Sequence, residues 1–125
     1  MTKNKEATRF ASSTQEKRIA KKFDGKVSSN SGASTFAGGD VYLEDASLCI
    51  ECKTCMKPSK SFSIKKEWLE KNKQEAFIHR FDNHCIAFNF DYEDKKDYYV
   101  IDDKLMSFLV YCLEKENSNF DYLLP

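Results

Sequence analysis

Residues 38–54 read Gly-Gly-Asp-Val-Tyr-Leu-Glu-Asp-Ala-Ser-Leu-Cys-Ile-Glu-Cys-Lys-Thr. Two strands, Asp40 to Leu43 and Ala46 to Thr54, joined by the turn Glu44-Asp45, account for this stretch. Side chains alternate along a strand, so Leu48, Ile50 and Cys52 form one face and Cys49, Glu51 and Lys53 the other. The first is an ordinary core face. The second sets a carboxylate and an ammonium side by side in the most apolar segment of the chain. A charge buried there costs on the order of several kcal/mol unless it is paired or bound to metal. Asp40 opens the neighbouring strand within reach of Glu51, and adjacent carboxylates raise each other's pKa unless a cation lies between them. The alternative for Glu51 and Lys53 is an exposed pair on a solvated face, worth under about 1 kcal/mol. The Gly-Gly-Asp at the start of the preceding strand favours a site.

Working outward, the lysine-rich residues 1–12 read as a flexible basic arm, and 13–125 as a single domain. Ser13-Thr14-Gln15-Glu16 has the form of a capping box, opening a helix whose buried stripe holds Ile19, Ala20 and Phe23 and which ends at Asp24-Gly25. Lys26-Val27-Ser28 is a short strand, and residues 29–39, rich in Ser, Gly and Ala, are a loop. Ser63 caps a second helix, from Ile64 to Phe77. Cys85 to Phe90 and Tyr98 to Ile101 form a hairpin across the polar turn 92–97. Asp102 or Asp103 caps a last helix, with Leu105, Phe108, Leu109 and Cys112 facing inward. Helices and strands in this order indicate an α/β domain on a mixed sheet.

The 125 residues, 41% hydrophobic and 14% aromatic, suffice for a core without disulfides or structural metal. No apolar run approaches the roughly 20 residues of a membrane span, and no secretory leader is legible at the N-terminus. Five cysteines, three of them crowded at 49, 52 and 55, make a poor disulfide framework, so a reducing, cytoplasmic setting is expected.

The net charge is zero but unevenly spread. Residues 1–26 hold eight Lys/Arg against three acids, and residues 53–73 hold seven lysines against two. Residues 91–125 hold nine acids against four lysines. One basic and one acidic face would follow, the basic one suited to phosphates; solvated helix surfaces give similar runs.

Gly39-Asp40-Val41 followed by Ile50-Glu51-Cys52-Lys53-Thr54 resembles the PD-(D/E)XK nuclease superfamily, most of all the small phage and archaeal Holliday-junction resolvases. The resemblance runs from about residue 13 to 80 and departs from the pattern at Gly39, where many members carry proline. It implies a restriction-endonuclease-like αβα core, a central mixed sheet flanked by helices. It also implies a metal-dependent endodeoxyribonuclease acting on branched DNA as a homodimer, in the host cytoplasm if phage-encoded. Asp40, Glu51 and the main-chain carbonyl of Cys52 would hold Mg2+, with Mn2+ able to substitute; hard cations of this kind take oxygen ligands. Lys53 would orient or deprotonate the attacking water and stabilise charge on the phosphate. Glu16 falls where resolvases carry a functional residue, and its other role is as capping partner of Ser13. Ser31 and Thr54 are candidates for phosphate hydrogen bonds, unless water alone meets them, and Lys57, Lys60 and Lys65 for backbone contacts.

Three other readings compete. Cys49, Cys52 and Cys55 invite a zinc or iron–sulfur site, but alternation sends the first two to opposite faces, and only Cys85 or His84 offers a fourth ligand. A non-catalytic nucleic-acid-binding module needs only the lysines. An interaction protein would present Phe120, Tyr122, Leu123 and Leu124.

Overall fold

The computed structural model of the protein describes residues 2–28 and 40–117, and within them the expected alternation holds the sheet in place. In chain order the elements are α1 (Thr2–Phe23), β1 (Lys26–Val27), β2 (Asp40–Leu43), β3 (Leu48–Cys52), α2 (Lys66–Ile78), β4 (Asn83–Phe88), β5 (Tyr98–Ile101) and α3 (Asp103–Glu116). The five strands lie in the order β1-β2-β3-β4-β5. All neighbours are antiparallel except β3 and β4, which run parallel and are joined across α2. A parallel pair needs a crossover of a dozen or more residues, which α2 supplies. The chain is an α/β protein with a five-stranded mixed sheet and three helices.

Ile19 and Ala20 of α1 pack with Val41, Leu43, Ile50, Cys52, Cys85 and Ala87 in the buried core, with Leu48 and Ile101 at its margin. These are the alternate positions of four strands, so α1 covers that face. The other face, with Tyr42, Cys49, Glu51 and His84, receives α2. Asn72 of α2 is 1% exposed. Its amide donates to the Cys49 carbonyl at 3.4 Å, and its Oδ1 lies 3.1 Å from His84 Nδ1.

The expected element boundaries need correcting: β3 spans Leu48–Cys52 rather than Ala46 to Thr54, β4 starts at Asn83 rather than Cys85, and the other differences have local causes. Residues 2–12, set aside as an arm, belong to α1, whose Ala11 and Ser12 are buried. Ser13 therefore lies in mid-helix and caps nothing; in the same turn the Thr14 hydroxyl donates back to the Phe10 carbonyl at 2.8 Å. Helix α2 starts at Lys66, behind an extended Lys65 and without a side-chain cap. Phe62 stacks on Phe88 at 5.0 Å and anchors the segment ahead of that helix to the sheet, so Ser63 is not a cap. Strand β4 ends at Phe88, because Asn89 turns inward to meet Thr54 and Cys55.

Helix α3 differs most. Asp102 caps it as expected, accepting from the Leu105 N–H at 2.9 Å. Yet none of its residues is buried, and Phe108 and Leu109 are exposed. The sheet's two faces are taken by α1 and α2, which leaves the apolar stripe of α3 uncovered among the described residues. No helix there is long and apolar enough to cross a membrane.

At the end of α1 the chain reverses through Asp24 in the left-handed region (φ 56°), with the Gly25 N–H donating to the Ala20 carbonyl at 2.7 Å. A Cβ at Gly25 would collide with Leu43 and the Tyr42 carbonyl, so glycine lets helix and strand approach.

Candidate metal centre

Asp40 and Glu51 stand directly opposite each other in the β2–β3 ladder, on the face that α2 covers. Asn72, Glu75 and Ala76 share one side of α2, and the anchoring of Asn72 to β3 turns Glu75 toward the same spot. Ligand oxygens of Asp40, Glu51 and Glu75 all lie within 4.8 Å of one another. Asp40 is 8% exposed and Glu51 5%. Three carboxylates from three elements thus converge in a largely dry place.

Their electrostatics show the strain of that arrangement. Burial, then a hydrogen bond with Glu75 and the charges of Glu75 and Glu51, push Asp40 up to about 9, against the opposing pull of Lys71. Burial likewise raises Glu51, with Lys53 and Lys71 opposing. Glu51 Oε2 is buried without a hydrogen-bond partner. Lys53 Nζ stands 3.5 Å from it, close enough for an ion pair and long for a hydrogen bond. On α2, Lys71 pairs with Glu75 at 3.8 Å. Buried oxygens in excess of their counter-charges, one of them without a hydrogen-bond partner, make a donor set that could hold a hard divalent cation.

The pH dependence of stability follows. A carboxyl raised in the folded state leaves stability intact below its unfolded pKa and withdraws it as pH climbs toward the folded one. With Asp40 raised from 3.8 to about 9, the Tm of metal-free protein is expected to fall steadily from pH 5 to pH 9. Saturating Mg2+ should restore more at pH 8.5 than at pH 5.5. A flat metal-free profile in scanning fluorimetry, or equal Mg2+ shifts at both pH values, would count against the site.

Lys53 follows β3 on the same face. Its ammonium lies 4.4 Å from the ring centroid of Trp68. Its N–H donates to the Ala87 carbonyl at 2.8 Å, and its carbonyl accepts from Gln15 Nε2 at 2.9 Å. Gln15 also reaches Asp97, which Arg18 grips with two nitrogens at 2.8 and 3.0 Å. Helix α1 thereby fixes the main chain at the end of the carboxylate strand from the far side of the sheet.

The remaining expected site residues are dispersed. Cys52 is 1% exposed, with its thiol among the α1-side core. Glu16 is buried on α1 at 4% exposure; its charge acts on Cys52, and it is not one of the three clustered carboxylates. Its capping alternative falls with the mid-helix position of Ser13. The Thr54 hydroxyl is engaged with the amide of the fully buried Asn89 at 3.2 and 3.0 Å, so it is a loop anchor. Lys57, Lys60 and Lys65 are exposed along the segment leading to α2. Ser31 and the aromatic C-terminal residues 120–124 lie outside the described residues.

Cys49 and Cys52 do point to opposite faces, and no cysteine joins a metal-binding group among the described residues. His84 lies between Asn72 and Asp102, its Nε2 3.5 Å from Asp102; burial lowers its pKa although Asp102 opposes this. His79 is the C-cap of α2, its ring tilted at 41° to that of Tyr42 with 5.3 Å between centroids.

Glu75 was missed by the sequence reading. Its signal is polar Asn72 and Glu75 occupying, beside Ala76, the side of α2 that an amphipathic helix keeps apolar. In comparisons with known proteins, no family model, no curated protein and no solved structure matches the chain.

Proposed function

We propose that the protein is a metal-dependent endodeoxyribonuclease with a restriction-endonuclease-like core, acting on branched DNA in the manner of the small Holliday-junction resolvases. The observation that carries this reading is the convergence of Asp40, Glu51 and Glu75 within 4.8 Å, beside a lysine two residues beyond Glu51. A merely solvated Glu-x-Lys pair has no reason to be buried against two further carboxylates. Helices on both faces of a mixed sheet also suit the proposed core.

Asp40, Glu51 and Glu75 would hold Mg2+ or Mn2+, with the Cys52 carbonyl as a further oxygen ligand. Such a cation, when bound, supplies Lewis-acid polarisation of the scissile phosphate. Asp40 would give up its proton where the metal is held, and the Lys71 ammonium stands 3.8 Å from Glu75. The Lys53 ammonium donates hydrogen bonds to phosphate oxygens as charge builds there. Paired cuts across a junction would call for two copies, and a homodimer is part of the proposal.

The test is incubation of junction, flap, linear and single-stranded DNA with Mg2+ or Mn2+. EDTA-sensitive cleavage of a branched substrate supports the reading; binding without cleavage under every metal condition favours the non-catalytic module.

DNA affinity should be carried by the segment after β3. Replacing Lys57, Lys60 and Lys65 with Ala should weaken binding to all duplexes and flatten log affinity against log salt by roughly 0.9 for each phosphate that is no longer neutralised. The charge-matched triple at Lys95, Lys96 and Lys104 should do much less. Equal losses in the two triples would place the DNA on another face.

A further inference from the structure

A lysine ends a flexible four-carbon stem, and one that must meet a phosphate beside three carboxylates needs something to select its rotamer. Glu51 does not suffice. The pair is loose at 3.5 Å, and with nothing opposing it the carboxylate cluster would draw the ammonium in as its own counter-ion, into the place of a metal. The opposing group is Trp68, in the first turns of α2, whose ring lies 4.4 Å from Lys53 Nζ. That ring is placed in turn by Phe62, 6.1 Å away, itself stacked on Phe88 of β4. Lys65 also approaches Trp68, but at 5.6 Å it is near the limit at which a ring face attracts a cation.

We propose that Trp68 is a positioning residue for Lys53, holding the ammonium over its ring face at the edge of the carboxylate cluster, 3.5 Å from Glu51, and restraining it from moving deeper among the Asp40–Glu51–Glu75 oxygens. The indole face attracts the charge without offering a competing carboxylate, which leaves the ammonium available while the cluster takes up a divalent cation. This assignment rests on the reading of Lys53 as the group that meets the phosphate, but its geometry is testable without catalysis.

The experiment is amine labelling of the full chain with an acylating reagent, read residue by residue by mass spectrometry, in Trp68→Leu and Trp68→Phe. A cation–π contact of this kind should slow labelling of Lys53, so Trp68→Leu should raise it about three- to tenfold. Trp68→Phe, which keeps a ring face, should stay within about twofold of the parent, and exposed Lys26 should be unchanged in both. Unchanged Lys53 labelling in Trp68→Leu, or equal increases in the two variants, would overturn the proposal. Should Trp68→Leu fail to fold, Lys53→Met in the parent serves instead. Trp68 is the sole tryptophan, and its emission should change when the ammonium above it is removed; an identical spectrum overturns the proposal. On a cleaved substrate, Trp68→Leu should lower kcat about tenfold with KM for DNA unchanged, and Trp68→Phe should retain it. Absence of cleavage in the parent would sink the nuclease reading and leave the labelling result standing.

Discussion

Asp40→Asn and Glu51→Gln are each expected to bring Mg2+-dependent cleavage below detection in a folded protein, and Asp40→Asn is expected to melt above the parent in metal-free buffer at pH 8. Both amides keep the shape of the side chain and remove the charge that a hard cation requires. The gain in stability has a separate cause. Asp40 faces Glu51 across the ladder and shares its space with Glu75, so above pH 4 the metal-free fold either holds a proton the unfolded chain would release or tolerates a third charge. An amide ends that conflict, and each kcal/mol relieved should raise Tm by roughly 4 °C. Glu75→Gln should act in the same direction on Mg2+ affinity, leaving residual cleavage at high metal. Loss of activity joined to gain of stability marks a site whose function is held against the fold's own preference. Parent-like cleavage in either variant, or a lower metal-free Tm in Asp40→Asn, would contradict the assignment.

Lys53→Ala should cost on the order of 10²–10³ in cleavage rate, as for loss of a donor aimed at developing charge. It differs from the carboxylate variants in its metal dependence. With the ammonium 3.5 Å from Glu51 removed, one competitor for the carboxylate cluster is gone, so Mg2+ should bind no more weakly and the rate should saturate at equal or lower metal concentration. A variant cutting within about twofold of the parent at saturating Mg2+ would remove Lys53 from the reaction.

How much of this was legible in the sequence depended on whether local pattern or tertiary docking decided each feature. The β2–β3 hairpin, the opposition of Asp40 and Glu51, the split of Cys49 from Cys52 and the Asp102 cap all follow from strand alternation and local capping, and the structure has them. The start of α1 was misplaced because Ser13-Thr14-Gln15-Glu16 has the letters of a cap but lies within a helix that began earlier. The inward face assigned to α3 rested on amphipathicity, which tells that a stripe is apolar and not what covers it. Glu75 was hidden for a related reason. It lies more than twenty residues beyond Glu51 on a separate element, and only the seating of Asn72 against β3 brings it to the other two.

The pairing of Asp40 with Glu51 also gives β3 a two-residue reading frame. An insertion in the turn of residues 44–47 leaves the frame untouched, because a loop absorbs added length. One extra residue between Leu48 and Glu51 would, if the strand re-formed, send Glu51 and Lys53 to the side packed by α1 and present their neighbours to α2. Two extra residues would restore the faces but shift Glu51 about 7 Å along the strand from Asp40. Substitutions in β3 can therefore be graded, whereas changes in its length between Leu48 and Glu51 cannot, and descendants of this gene should vary in length at residues 44–47 while keeping the span from Leu48 to Lys53 constant.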